Sequence, residues 1–248
     1  MGYLYDMCLI ALAYKVHPHF PLIVAANRDE FLDRPAEPAR FWPESPHLLA
    51  GRDLQAGGTW LGVTRAGRFA AITNHRDMRR PHAPGPSRGL LVKHALEQGV
   101  NTSSTAAFAG FNLIYGTVDH LHYHNNIQPA STPLAPGIHS LSNAFLNTPW
   151  PKVEKARRAM EALVGRPDNH LEEGLFALLA DEARAGDDQL PDTGLLLEQE
   201  RAASSIFIRS PHYGTRCSTV LLVDAHGAVH FAERTVGGQW VTEDFRMR

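Results

Sequence analysis

MCLIALAYKVHPHFPLIVAANRDE, residues 7–30, contains two apolar runs, CLIALAY at 8–14 and LIVAA at 22–26, parted by His17-Pro18-His19-Phe20-Pro21. Short apolar runs bounded by a proline turn read as the paired strands of a hairpin. Cys8 stands at the head of the first strand, directly after Met7, and Asn27, Arg28, Asp29 and Glu30 follow the second run. If translation starts at Met7 and that methionine is removed, Cys8 carries a thiol and a free α-amine on one residue. An α-amine has a reference pKa of about 7.7–8.0 and a thiol one of about 8.5, so base and nucleophile would arrive together near neutral pH. The plainer reading makes Cys8 a small buried hydrophobe of a first strand. On the first reading residues 1–7 are an N-terminal extension or a mis-assigned start, and residues 8–248 form a single domain.

Outward from this hairpin the chain returns to strand character several times. A proline-punctuated loop at 35–46 leads to Gly57-Gly58-Thr59, after which TWLGVT (59–64) and RFAAITN (68–74) flank Arg65-Ala66-Gly67 as a second hairpin. The loop 75–86 holds three prolines, Ser87 is a plausible cap for a helix running to about Gln98, and Gly99 stops it. FNLIYG (111–116) and DHLHYHN (119–125) form another strand pair. Thr148-Pro149-Trp150-Pro151 opens a helix with Val153, Ala156, Met160 and Leu163 on one stripe, ended by Gly165 and Pro167. A further helical stretch covers 171–183, and SSIFI (204–208), RCSTVLLVD (216–224) and AVHFAERTV (228–236) read as strands. Strands, then helices, then strands suit an α+β layer protein of antiparallel sheets covered by helices.

Bulk properties narrow the classes. The 24 Lys and Arg against 26 Asp and Glu leave a net charge of −2, and no basic stripe argues for nucleic acid. Two cysteines, Cys8 and Cys217, are too few for a disulfide framework and point to a reducing, cytoplasmic setting. The apolar run at 7–14 is too short to span a membrane, and residues 1–6 carry no positive side chain that would mark a signal peptide.

Polar residues recur at strand ends: Asn27, Arg28 and Asp29; Asn74; Asn143 within Leu141-Ser142-Asn143; and Arg216 beside Cys217. A folded sheet could gather them at one edge. Side-chain amides there can stabilise an oxyanion, a guanidinium favours thiolate, and Asp29 could hold the α-amine. Taken singly, Asn74 and Asn143 are also ordinary turn formers, and Arg28 with Asp29 an ordinary surface pair. Asn27, Trp60 and His75, next to these positions, are candidates for substrate contact; Trp60 and Trp150 could equally fill the core.

The run MCLIALAY, the block LIVAANRDEFLDRP, the string AGRDLQAGGTWLGVTRAGRFAAITNHRD, then SRGLLV, GFNLIYG, LSNAFLNTPWPKV, SIFIRSPHYGTRCSTVLLVD and FAER resemble the NRDE family, also named for transport and Golgi organisation. The resemblance extends from Met7 to about Arg234 and implies an N-terminal nucleophile hydrolase fold, a four-layer αββα sandwich. A more distant resemblance is to choloylglycine hydrolases and penicillin acylases. Their pattern of an N-terminal Cys, Arg and Asp on the second strand, two Asn and a late Arg falls on Cys8, Arg28, Asp29, Asn74, Asn143 and Arg216. Arg28 and Asp29 are adjacent here, which leaves the division of roles among Asn27, Arg28 and Asp29 open. Any residue attached to Cys8 turns its amine into an amide, which cannot act as a base.

The function implied is a cysteine hydrolase of a non-peptide acyl amide, requiring neither metal nor cofactor. From another class, the same cleft could serve a carrier of haem or acyl-CoA or other lipid, in line with family-level proposals of haem trafficking. The alternating His120, His122 and His124 could face a metal or haem, or line a solvated strand face. Gly57-Gly58-Thr59-Trp60 lacks the Lys of a phosphate loop and reads as a close-packed strand entry. The basic residues of 152–158 read as the solvated face of their helix.

Overall fold

The computed structural model describes residues 7–79, 85–166 and 168–248. The N-terminal extension at 1–6, the middle of the proline loop at 80–84 and Pro167 lie outside these described residues. In chain order the elements begin with β1 (Leu9–Tyr14), β2 (Leu22–Phe31), β3 (Ala36–Trp42), β4 (Ser45–Asp53), β5 (Leu61–Thr64), β6 (Arg68–Asn74) and α1 (Arg88–Gln98). They continue with β7 (Phe111–Thr117), β8 (His120–Asn125), β9 (Ala130–Pro133), β10 (Gly137–Leu141), α2 (Pro151–Val164) and α3 (Leu171–Leu179). The chain closes with α4 (Leu197–Ala203), β11 (Tyr213–Val223), β12 (Ala228–Thr235) and β13 (Trp240–Arg246).

The strands make two antiparallel sheets, one in the order β10-β1-β2-β11-β12-β13 and the other running β3 to β9 in sequence. Strand alternation sorts the apolar runs between layers. In β1, Ile10, Leu12 and Tyr14 join Leu49, Val63, Phe69 and Ile114 between the two sheets. Leu9, Ala11 and Ala13 face the other way, onto Ala156, Met160, Leu175 and Phe176 of α2 and α3. On the far side, Leu91, Val92, Ala95 and Leu96 of α1 cover Leu48, Ala70, Phe111 and Leu113 of the second sheet. The layers are therefore α, β, β, α, as the family resemblance implies. Burial on both faces explains why 8–14 and 22–26 read as unbroken apolar runs rather than alternating ones.

Four segments differ from the reading of the sequence. The supposed loop 35–46 is largely strand, because β3 is the edge of its sheet and its pairing with β4 shifts register between Glu37 and Arg40, where Pro38 sits. Edges and bulges are where a strand tolerates proline. SSIFI is not a strand; 204–208 forms a bent connection into β11, following α4, a helix with no clear apolar stripe. The helix expected over 171–183 stops at Leu179. His120 is exposed, but His124 is buried, with one ring nitrogen 3.0 Å from the Thr105 hydroxyl and the other 3.2 Å from the Ala130 carbonyl, so these three histidines do not share one solvated face.

Candidate active site

At one end of the sandwich β2 runs past the start of β1, with Leu9 opposite Asn27, so Cys8 lies alongside the NRDE segment. The Cys8 thiol is 3.9 Å from the Asp29 carbonyl oxygen. Its own carbonyl accepts a 2.9 Å hydrogen bond from the Ser142 hydroxyl, which also lies 3.0 Å from Asn143 Oδ1. Before it, Met7 is fully buried against Ala203, Ile208 and Tyr213, and its N–H donates to the Tyr213 hydroxyl at 2.6 Å.

Alternation along β2 gives the NRDE residues different neighbours. Asn27 is a structural tie: its amide donates to the Leu179 and Ile206 carbonyls, and its oxygen accepts from Ser218. Arg28 turns to the opposite side, with its guanidinium 4.2 Å from the centre of the Trp60 ring and 3.7 Å from Glu30. Asp29 is buried; Thr215 donates to its Oδ1 at 2.6 Å, and its Oδ2 has no hydrogen-bond partner among the described residues.

The two asparagines are brought together but do different things. Asn143 is fully buried, donates to the Asn74 carbonyl at 2.9 Å and accepts on its own carbonyl from Arg76 N–H. With Thr73 Oγ1 donating to the Ser142 carbonyl, this step sews the end of β10 in one sheet to the end of β6 in the other. Asn74 keeps its half-buried side-chain amide without a hydrogen bond among the described residues. His75 beside it packs its ring 5.0 Å from that of Phe145.

Arg216 sits in a β-bulge between Thr215 and Cys217 and donates to the Phe31 and Arg34 carbonyls, splinting the turn after β2. Cys217 lies opposite Arg28; burial, followed by the neighbouring Glu233 carboxylate, pushes its thiol well above the usual range. It is an inert core thiol, unlike the half-buried Cys8.

Sequence reasoning missed two buried cations, Lys152 and Arg76. Lys152, in the first turn of α2, is only 2% exposed, not on a solvated face, and its Nζ has no hydrogen-bond partner among the described residues. Burial lowers its pKa to about 8, with Asp29 opposing the shift; burial likewise raises Asp29 to about 7, with Lys152 opposing. Arg76 is buried too, paired with Glu200 at 2.9 Å and set 4.9 Å from the Trp150 ring centre, while Glu200 also accepts from Thr193. Arg76 follows Asn74-His75 directly, and Lys152 follows the Pro-Trp-Pro opening of its helix, but neither neighbourhood signals burial.

One group away from this site has the spacing of metal ligands: His17, His19 and Asp168. The His17 Nδ1 accepts the N–H groups of His19 and Phe20, so in the neutral ring the proton sits on Nε2, 3.5 Å from Asp168. That nitrogen is a donor to the carboxylate rather than a metal ligand. Among the described residues no helix is long and apolar enough to cross a membrane.

The family model described as Transport and Golgi organisation 2 matches residues 7–238 of this chain, from the methionine before Cys8 to the turn after β12. The chain belongs to that family. The bovine Transport and Golgi organization protein 2 homolog is 35% identical, over 98% of this chain and 100% of its own length. The human homolog is 34% identical, over 93% of each. Among solved structures the chain is similar to a Caenorhabditis elegans N-acylethanolamine-hydrolyzing acid amidase ortholog, at 12% identity and a TM-score of 0.48, over 87% of this chain and 92% of that one.

Proposed function

We propose that this member of the Transport and Golgi organisation 2 family is a cysteine hydrolase of a non-peptide acyl amide, with Cys8 as its nucleophile. The observation that carries the reading is the meeting of four separate segments at one end of the sandwich: the Cys8 thiol lies 3.9 Å from the Asp29 backbone carbonyl, the Cys8 carbonyl accepts from Ser142, and Asn143 after it donates to the Asn74 backbone carbonyl. In a chain that begins at Cys8, the α-amine takes the thiol proton and Asp29 Oδ2, which no described residue hydrogen-bonds, accepts a hydrogen bond from the resulting ammonium. The thiolate attacks the amide carbon, the Asn74 amide and nearby N–H groups hold the oxyanion, and the amine leaves with the proton. Water then releases the acyl group from the thioester. Loss of Met7 would also empty the apolar space between Ala203, Ile208 and Tyr213, giving room for part of a substrate.

The test is turnover of a panel of fatty-acyl and aryl-acyl amides by the chain beginning at Cys8, beside Cys8→Ala. Loss of turnover in Cys8→Ala supports the reading, and equal turnover by the two overturns it.

A second reading, a carrier of haem or acyl-CoA, is favoured by one observation: with Met7 attached, the Cys8 nitrogen is a peptide nitrogen and its chain neighbour fills the adjoining apolar space. Saturable binding of haem or acyl-CoA, unchanged in Cys8→Ala and without any acyl-amide turnover, would favour the carrier.

A further inference from the structure

Met7 is bonded through its carbonyl to the Cys8 nitrogen, and the fold leaves it only 1% exposed. Ala203 at the end of α4, Ile208 beyond it and Tyr213 at the start of β11 enclose its side chain, with Phe31 of β2 packed against them. The walls are held by contacts of their own. The Phe31 and Tyr213 rings meet edge to face at 5.4 Å, and the Ile208 N–H donates to the Thr215 hydroxyl, which donates to Asp29 Oδ1. The polar end of the space is at the α position, where the Tyr213 hydroxyl accepts the Met7 N–H at 2.6 Å; beyond it the side chain meets apolar groups. Such a space takes an unbranched chain and is closed at its far end, because methionine fills it and shows almost none of its surface to solvent.

We propose that the space filled by Met7 is the acyl pocket of the chain beginning at Cys8, and that it selects a medium-length, unbranched aliphatic acyl group of about the length of hexanoyl. The inference rests on the reading of Cys8 as nucleophile and adds the substrate class to it. Acyl groups on the nitrogen and on the sulfur of one cysteine occupy neighbouring space, because only the Cα and Cβ carbons separate the two atoms. Counted from its carbonyl carbon, the Met7 unit runs through Cα, Cβ, Cγ and Sδ to Cε, the length of a hexanoyl chain. With Met7 gone, an acyl group bonded to the Cys8 sulfur passes the Tyr213 hydroxyl and lays its methylenes against Phe31, Ala203 and Ile208. Each methylene taken from water favours the complex by about fourfold. A shorter acyl group leaves part of the space unfilled and a longer one meets the closed wall, so the preference passes through a maximum. While Met7 is attached it blocks the α-amine and fills the pocket; its loss opens both.

The experiment reads the pocket through the Cys8 thiol and needs no hydrolysis. An alkyl methanethiosulfonate transfers its alkylthio group to a thiolate, giving a mixed disulfide and releasing methanesulfinate; a pentylthio group on sulfur has the length of hexanoyl. The methyl, pentyl and decyl reagents are compared on the full chain, on its Met7→Ala variant and on the chain beginning at Cys8. Modification of Cys8 is followed by peptide mapping, each rate is divided by that of glutathione, and the buried Cys217 is the internal control. In the full chain the pentyl reagent should gain nothing over the methyl one. In both opened forms it should gain about tenfold, a part of what the added methylenes can supply, and the decyl reagent should fall below it. Ala203→Leu, made in the opened forms, refills the space and should abolish the preference, while Ile208→Ala enlarges it and should move the optimum toward decyl. Should Met7→Ala not fold, the chain beginning at Cys8 gives the same reading. A pentyl preference already present in the full chain, missing from the opened forms, or unaltered by Ala203→Leu and Ile208→Ala overturns the proposal. Failure of the hydrolase reading is a separate result: no acyl amide would be turned over by the chain beginning at Cys8, whatever the reagent profile.

Discussion

Asp29 on β2 and Lys152 in the first turn of α2 each bury a polar atom, Oδ2 and Nζ, that no hydrogen bond from a described residue satisfies, and neither makes an ion pair with the other within 4.0 Å. Polar atoms buried in this way do not stabilise a fold, because their desolvation is not offset by a hydrogen bond. The pair also carries its consequence into pH: burial draws the two pKa values toward each other, the carboxyl up to about 7 and the ammonium down to about 8.

The stability consequence has a definite sign. Because burial raises the Asp29 carboxyl to about 7, the folded chain holds this proton more tightly than the unfolded chain does. The stability this lends is complete below the ordinary carboxylate pKa of about 4 and is lost as pH rises toward the folded value. Asp29→Asn has no such loss. The Tm of the variant minus that of the parent should therefore grow more positive between roughly pH 4 and pH 7. A difference that stays flat or falls over that window contradicts the assignment.

Asn74 and Asn143 should separate catalysis from folding. Asn143 is fully buried and bridges the two sheets, so Asn143→Ala should cost about 2–3 kcal/mol in chemical denaturation, the loss of a buried hydrogen-bonded amide. Asn74→Ala should leave stability within about 0.5 kcal/mol, since its side-chain amide bonds to none of the described residues. On acyl amides Asn74→Ala should lower kcat by roughly a hundredfold, the typical effect of losing one oxyanion donor. The opposite outcome, with Asn74 the structural residue and Asn143 dispensable to the fold, would contradict this division of roles.

Arg76 and Glu200 make a buried ion pair at 2.9 Å. Glu200→Ala leaves the guanidinium uncompensated and should cost about 3–5 kcal/mol. The double change Arg76→Met with Glu200→Leu should recover most of that loss in urea denaturation, because neither desolvated charge remains. Equal destabilisation by the single and double variants would show that the pair is held for its shape and not its charge.

Gly57 and Gly58 should respond differently to alanine. A Cβ on Gly58 would lie 2.2 Å from the Gly89 carbonyl carbon, backbone that cannot give way, so Gly58→Ala should cost about 2–3 kcal/mol and disturb the start of α1. Gly57 has open space around it but a φ of +74°, so Gly57→Ala should cost only about 1–2 kcal/mol. Thermal unfolding of the two proteins checks the order.

How far the sequence could be read depended on where each signal was written. Strands β1, β2, β5, β6, β11 and β12 were legible because apolar runs and turn residues lie in the strands themselves, and α2 because Val153, Ala156, Met160 and Leu163 all fall on its buried stripe. β3 was hidden by Pro38 at a register shift, and β13, at the other sheet's edge, by a strand whose residues are half-buried at best. The site divided in the same way. Of the positions carried by resemblance, Asp29 meets the Cys8 thiol through its backbone carbonyl, Asn143 follows the Ser142 that bonds the Cys8 carbonyl, Arg28 turns to Trp60 and Glu30, and Arg216 spends its donors on the Phe31 and Arg34 carbonyls. Lys152 and Arg76 were illegible because a cation on an amphipathic helix or in a loop looks solvated until the chain folds over it. Their burial comes from tertiary packing between α2, α4 and the ends of both sheets, which no local pattern records.

The most direct test of Cys8 as nucleophile is the intact mass of the chain beginning at Cys8, taken at short times after addition of a p-nitrophenyl acyl ester. An activated ester acylates the attacking sulfur faster than water clears it. The account predicts the mass of one acyl group added to the protein, mapped to Cys8, decaying with time and absent from Cys8→Ala. An adduct that maps to another residue, or ester cleavage that continues undiminished in Cys8→Ala, would contradict it.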